Sequence, residues 1–95
     1  DELQVVVTSV EALPGGIRLS LYPEPNDGIV QVDLDAPVPA RLRVLNLLGQ
    51  TVAEFSSEQG GRQHHRFDLR RQPPGIYLLR VDAGSQVLLR RFVRY

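Results

Sequence analysis

The run Gly28-Ile29-Val30-Gln31-Val32-Asp33-Leu34-Asp35-Ala36-Pro37 decides the fold class of this chain. Val30, Val32 and Leu34 alternate with Gln31, Asp33 and Asp35, which puts apolar side chains on one face of an extended segment and polar ones on the other. A helix would need apolar recurrence near 3.6 residues, and no ten-residue stretch of the chain has it. Pro37 and Pro39 offer no backbone N–H and end the strand.

The same two-residue period extends outward on both sides. Upstream, Ile17, Leu19 and Leu21 oppose Arg18, Ser20 and Tyr22, and before the turn at Pro14-Gly15-Gly16 a first strand has Leu3, Val5 and Val7 against Gln4, Val6 and Thr8. Pro23-Glu24-Pro25-Asn26-Asp27-Gly28 reads as a turn, with two fixed φ angles and a glycine free to take positive φ. Downstream, Leu42 and Val44 alternate with Arg41 and Arg43, and Asn46–Gln50 turns through Gly49 into a strand over residues 51–55. Ser56–Arg62 reads as a polar, Gly-rich loop. His65, Phe67 and Leu69 then alternate with His64, Arg66 and Asp68 up to the break at Pro73-Pro74-Gly75.

Tyr77, Leu79 and Val81 alternate with Ile76, Leu78 and Arg80, Asp82–Ser85 turns, and Gln86–Arg94 is the last strand. Seven to eight short strands with turns between them predict an all-β fold, an immunoglobulin-like antiparallel β-sandwich. Gly75-x-Tyr77 before an alternating strand fits the tyrosine corner of such sandwiches, and Leu79 stands where disulfide-bonded relatives have Cys.

Ninety-five residues at 42% hydrophobic content suffice for one core. With no Cys, neither disulfides nor thiolate chemistry are open to it. No apolar run reaches the ~18 residues of a membrane span, and Asp1-Glu2-Leu3 lacks the basic region of a signal peptide, so the chain reads as part of a longer precursor. All eleven basic residues are Arg, which we attribute to genome composition before function. Charge is balanced overall but unevenly placed. Residues 1–40 hold one Arg against seven acids, a net of −6, and residues 41–95 hold ten Arg against four acids, a net of +6. The expected reading is a domain whose halves pair across the sheet.

No residue set points to catalysis, and the domain reads as a non-enzyme without cofactor or metal. His64 and His65 are adjacent on a strand and so point to opposite faces, which prevents shared metal ligation. Asp33-x-Asp35 lacks the further oxygens that calcium needs, and turn chemistry accounts for Asn26-Asp27-Gly28. Arg70-Arg71 and Arg90-Arg91, near Phe92 and Tyr95, could suggest nucleic acid, but strand alternation divides each pair between faces and the neutral chain attracts phosphate weakly. No nucleic-acid partner is expected. The last strand is unusual in having apolar residues on both faces, Val87, Leu89 and Val93 on one and Leu88 and Phe92 on the other. Such a strand is either covered or an edge that meets a partner.

Three segments in fixed order carry a resemblance: Tyr22-Pro23-Glu24-Pro25-Asn26-Asp27-Gly28, Leu47-Leu48-Gly49-Gln50 and Pro74-Gly75-Ile76-Tyr77-Leu78-Leu79-Arg80-Val81. From Leu21 to Tyr95 the chain resembles the C-terminal sorting domains of type IX secretion cargo. Pro23, Pro25 and Gly28 fall on that family's opening motif, Gly49 on its central turn, and Gly75 and Tyr77 on its terminal motif. Arg80, Arg90 and Arg91 fall where the family tends to carry a basic residue. Glu24 stands in place of the usual Asn and, less suited to bonding its own backbone, is expected to loosen the turn.

The resemblance implies a folded export signal on a larger cargo, with a passenger domain on the N-terminal side. It implies the type IX translocon and a sortase-like peptidase as partners, passage through the periplasm, and delivery to the cell surface or the medium with cleavage and anchoring. Residues 21–95 would be the sorting domain and residues 1–20 a linker or extra N-terminal strands packed on it. Pro23, Pro25, Gly28, Gly49, Gly75 and Tyr77 are expected to be critical to the fold. Val87, Leu88, Leu89, Arg90, Arg91, Phe92 and Val93, within Gln86–Tyr95, are the candidate translocon contact, bound by strand addition. The same strand could pair two copies of the chain. The rival reading is an immunoglobulin- or fibronectin-like accessory module that binds carbohydrate or acts as a spacer. Three Tyr, three Phe and no Trp are few for a carbohydrate platform.

Overall fold

The computed structural model describes residues 11–95, and the strand expected at Leu3–Thr8 lies outside them. Eight strands follow in order: β1 (Glu11–Leu13), a 3₁₀ turn at Pro14–Gly16, β2 (Ile17–Tyr22), β3 (Ile29–Ala36), β4 (Ala40–Leu45), β5 (Thr51–Ser56), β6 (Gly61–Asp68), β7 (Gly75–Ala83) and β8 (Gln86–Arg94). They form two four-stranded antiparallel sheets, β1-β2-β3-β6 and β5-β4-β7-β8. With β6 beside β3 and β7 between β4 and β8, the connections cross between sheets as in immunoglobulin-like sandwiches. The shortest dimension, 18 Å, is that of two stacked sheets.

Alternation sets the core. In β3 the odd residues Gln31, Asp33 and Asp35 are half exposed, while Val30, Val32, Leu34 and Ala36 are buried. Ile17, Leu19 and Leu21 from β2, Leu42 and Val44 from β4, and Tyr77, Leu79 and Val81 from β7 complete the inner faces. Aliphatic packing closes the centre, with Leu79 fully buried where a disulfide would otherwise lie. On one open side of the sandwich, the Phe55 ring of β5 lies 3.8 Å from the His65 ring of β6, joining the two sheets.

Several expected boundaries shift; Ser56 ends β5 instead of opening the loop, and Asp82 and Ala83 pair with Val87 and Gln86 as the end of β7 instead of forming the turn. Residues 61 and 62 belong to β6 instead of the preceding loop, because Gly61 and Arg62 pair with Ala36 and Asp35 of β3. Arg70 and Arg71 lie in the turn after β6, so strand alternation does not separate them as the sequence suggested. Arg90 and Arg91, in β8, are on opposite faces as expected.

The charged halves pair only in part. Asp33 lies 2.5 Å from His64 and Asp35 lies 3.8 Å from Arg62, both across β3 and β6. Other ion pairs form within the basic half: Arg41–Glu54, Arg43–Asp82, Arg80–Asp82 and Arg70–Asp68.

Candidate functional site

β8 is an edge strand of nine residues in unbroken register with β7, from Gly75↔Arg94 to Ala83↔Gln86. Its inner face holds Phe92, fully buried and stacked on Tyr77 at 6.0 Å, and Leu88, packed on the core. Its outer face holds Val87 and Leu89, 53% and 62% exposed, then Arg91 and the half-buried Val93. It is an edge strand, with no further strand paired to it among the described residues.

The surface continues sideways from β8. Leu89 is opposite Arg80, Arg91 opposite Leu78, and Val93 opposite Ile76, while Leu78 in turn pairs with Leu45 of β4. Leu47 and Leu48, at the β4–β5 turn just beyond Leu45, are 68% and 84% exposed. Apolar side chains therefore line one end of the outer face of this sheet, an arrangement typical of contact surfaces.

The edge of β8 is not open along its whole length. In an antiparallel strand, N–H and C=O groups of alternate residues point away from the paired neighbour. In β8 these are Val87, Leu89, Arg91 and Val93, followed by Tyr95. Asn26 makes a parallel bridge with the end of the strand: its N–H donates to the Val93 carbonyl at 3.0 Å, and its carbonyl accepts from the Tyr95 N–H at 2.7 Å. The Val93 N–H donates to the Glu24 carboxylate at 3.3 and 3.4 Å. The Pro23–Gly28 segment thus closes the C-terminal half of the edge, and Val87, Leu89 and Arg91 remain without a main-chain partner among the described residues.

The clamp is built from the residues of the opening turn. Asn26 is 1% exposed; its side-chain Oδ1 accepts from the Gly28 N–H at 2.9 Å and its Nδ2 donates to the Pro23 carbonyl at 3.3 Å. Both X-Pro bonds in the turn, Tyr22-Pro23 and Glu24-Pro25, are cis. Gly28 takes φ +119°, and a Cβ there would meet Arg70 Cγ at 2.7 Å. Its carbonyl accepts from the Leu69 N–H at 2.6 Å. Arg94 then ties β8 to the same place, donating to the Leu69 carbonyl at 3.0 Å and to the Arg70 carbonyl at 3.2 Å. The expected loosening at Glu24 is not seen, because Asn26 holds the turn and Glu24 reaches across to β8.

At the third motif, the Tyr77 hydroxyl donates to the Pro73 carbonyl, which makes the tyrosine corner. Gly49 takes φ +84° in the β4–β5 turn, where Asn46 Oδ1 accepts from the Leu48 and Gln50 N–H groups at 2.9 and 3.0 Å. The three motifs do different jobs: the first and third bear on the last strand, and the second presents Leu47 and Leu48.

The outer face of the other sheet has a polar row instead. Tyr22 donates to Asp33 Oδ2 at 2.8 Å, and His64 Nδ1 lies 2.5 Å from Asp33 Oδ1. Partial burial pushes the Asp33 carboxyl up, but the bonds from His64 and Tyr22 outweigh it and hold the group below the ordinary carboxylate value. The acceptors of Asp33 are therefore used within the fold. His64 and His65 diverge as expected, His64 outward and His65 inward against Phe55. Among the described residues no group of three or more His, Asp or Glu is placed to hold a metal.

Sequence reasoning missed the bond between Asn26 and β8. Nothing local signals it, since the partners are about seventy residues apart and the turn residues already had a sufficient local explanation. It also missed Phe55 as the ring that meets His65.

A search of curated proteins returned no match. The family model described as a secretion system C-terminal sorting domain matches residues 20–94, and so covers the opening turn, the central turn, the tyrosine corner and β8 together. The chain belongs to the family of type IX secretion system C-terminal sorting domains.

Proposed function

We propose that this domain delivers its passenger to the type IX translocon as a folded unit, and that the translocon reads the last strand. The match over residues 20–94 carries the sorting reading. A sorting-signal domain is not catalytic, and its place in cargo implies a passenger on its N-terminal side and export to the cell surface or the medium. On our reading the cargo crosses the periplasm, the domain engages the translocon through Val87–Val93, and a sortase-like peptidase then removes the domain and anchors the passenger.

The part of the β8 edge left without a main-chain partner among the described residues, and its apolar outer face, support that contact, since an open edge is otherwise a liability. Arg90 and Phe92 face inward and act through the fold, while Val87, Leu89 and Arg91 are the groups a partner meets. We also take residues 21–95 as the sorting unit, with the residues before it packed on as an added element. Ile17 and Leu19 in the core support that packing.

The test is a periplasm-directed fluorescent reporter fused ahead of this chain, expressed in a type IX-competent host and in a translocon-deficient mutant. Reporter at the surface or in the medium of the competent strain alone is the expected result. Reporter held in the periplasm of both strains, with the domain folded, would instead favour an accessory module.

A further inference from the structure

We infer that the open stretch of β8, from Val87 to Arg91, takes an extended segment of the export machinery that sets apolar side chains beside Val87 and Leu89 and an acidic one beside Arg91. This rests on the sorting reading above and adds the length, the register and the chemistry of the contact.

Length follows from what closes the two ends. At the start, β8 begins at Gln86, directly after the turn from β7. At the far end, Asn26 and Glu24 occupy the outward main-chain groups of Val93 and Tyr95. Between them, three residues present N–H and C=O groups without a main-chain partner among the described residues, enough for a short strand to add with main-chain bonds. The other long edge, β6, exposes Arg62, His64 and Arg66, charged or polar groups of the kind that protect an edge.

Chemistry follows from the side chains beside those groups. An added strand places its residues next to Val87 and Leu89, which favour apolar neighbours, and next to Arg91, which favours a carboxylate. Gln86–Tyr95 contains three Arg and no acid. A second copy of this chain is therefore a poor occupant. Pairing two β8 strands antiparallel about Leu89 would set each Arg91 opposite Val87 of the other copy, with no carboxylate from either β8 to meet it. An acidic strand meets the same site with opposite charge.

The reporter fusion tests this with Leu89→Pro, Arg91→Glu and Arg91→Lys, each also purified for thermal melting and sedimentation. Proline at position 89 removes an N–H that points away from β7, so the sheet keeps its ladder while an incoming strand loses a donor. Wild type and Arg91→Lys are expected outside the cell; Leu89→Pro and Arg91→Glu are expected to fold and to lose export about tenfold or more, the loss that ~1.4 kcal/mol of contact energy produces. Export of both folded variants at the wild-type level overturns this inference and leaves the sorting reading intact. Loss with Leu89→Pro alone overturns the acidic partner, and a wild-type dimer that Leu89→Pro dissociates overturns it in favour of a second copy. Should Leu89→Pro fail to fold, Arg91→Glu decides. Wild-type reporter trapped in the periplasm removes the sorting reading and this inference together.

Discussion

The Tyr77 hydroxyl donates to the Pro73 carbonyl four residues earlier, while the same ring stacks on Phe92 at 6.0 Å. One side chain thus fixes the path into β7 and the inner face of β8. Tyr77→Phe keeps the stack and leaves the carbonyl to water, so it should cost about 1 kcal/mol. Tyr77→Ala also opens a cavity against Phe92 and should cost about 3–5 kcal/mol. Urea midpoints of the two variants check the order; equal losses would mean that the hydroxyl carries the whole contribution.

Gly28 and Gly49 both take positive φ but differ in the space around them. A Cβ at Gly49 meets nothing within 4 Å, so Gly49→Ala should cost only the backbone strain, about 1–2 kcal/mol. At Gly28 the Cβ adds a clash with Arg70, including its Cα at 3.2 Å, and the loss should be larger by about 1 kcal/mol or more. Thermal melting of the pair tests the ranking.

Asn26→Ala removes the Oδ1 acceptor of the Gly28 N–H and leaves that buried donor unsatisfied. A cost of about 1–3 kcal/mol is expected. The diagnostic is local. Hydrogen exchange of the Tyr95 amide, bonded to the Asn26 carbonyl, should accelerate more than that of core amides in β3. Uniform acceleration across the domain would show that the clamp and the core open as one.

His65 gives the domain a pH dependence near neutrality. Burial lowers the imidazole below its ordinary value of 6.5, and the neighbouring His64 charge lowers it further. The unfolded chain then binds more protons, so stability is full above 6.5 and falls as pH drops through that value to the folded one. Denaturant midpoints should decrease between pH 7.5 and 5.5, and His65→Phe should flatten that slope. In the acid range, burial raises Asp33 and Asp82, but their hydrogen-bonding partners win and hold both below the ordinary carboxylate value. Their contribution is present above about 3.9 and lost as pH falls below it. Asp33→Asn should remove part of this acid sensitivity.

The strands are legible in the sequence because each buries one face: Val30, Val32 and Leu34 can be read directly, and so can Tyr77, Leu79 and Val81. Gly61 and Arg62 are not, since an edge strand pairs through backbone groups that leave no mark on side-chain pattern. Apolar residues on both faces of β8 mark it as unusual from the amino-acid pattern alone. Which part of its edge stays open is hidden there, because that depends on Asn26 and Glu24 reaching it from 67 and 69 residues away. Local turn chemistry also misjudges Glu24, whose partner is on another strand.

The clamp that joins the opening turn to β8 has a consequence for when the signal can exist. Residues 24 to 26 find their partners only after Val93 to Tyr95 have been synthesised, so the opening turn, though made early, stays incomplete until the last strand exists.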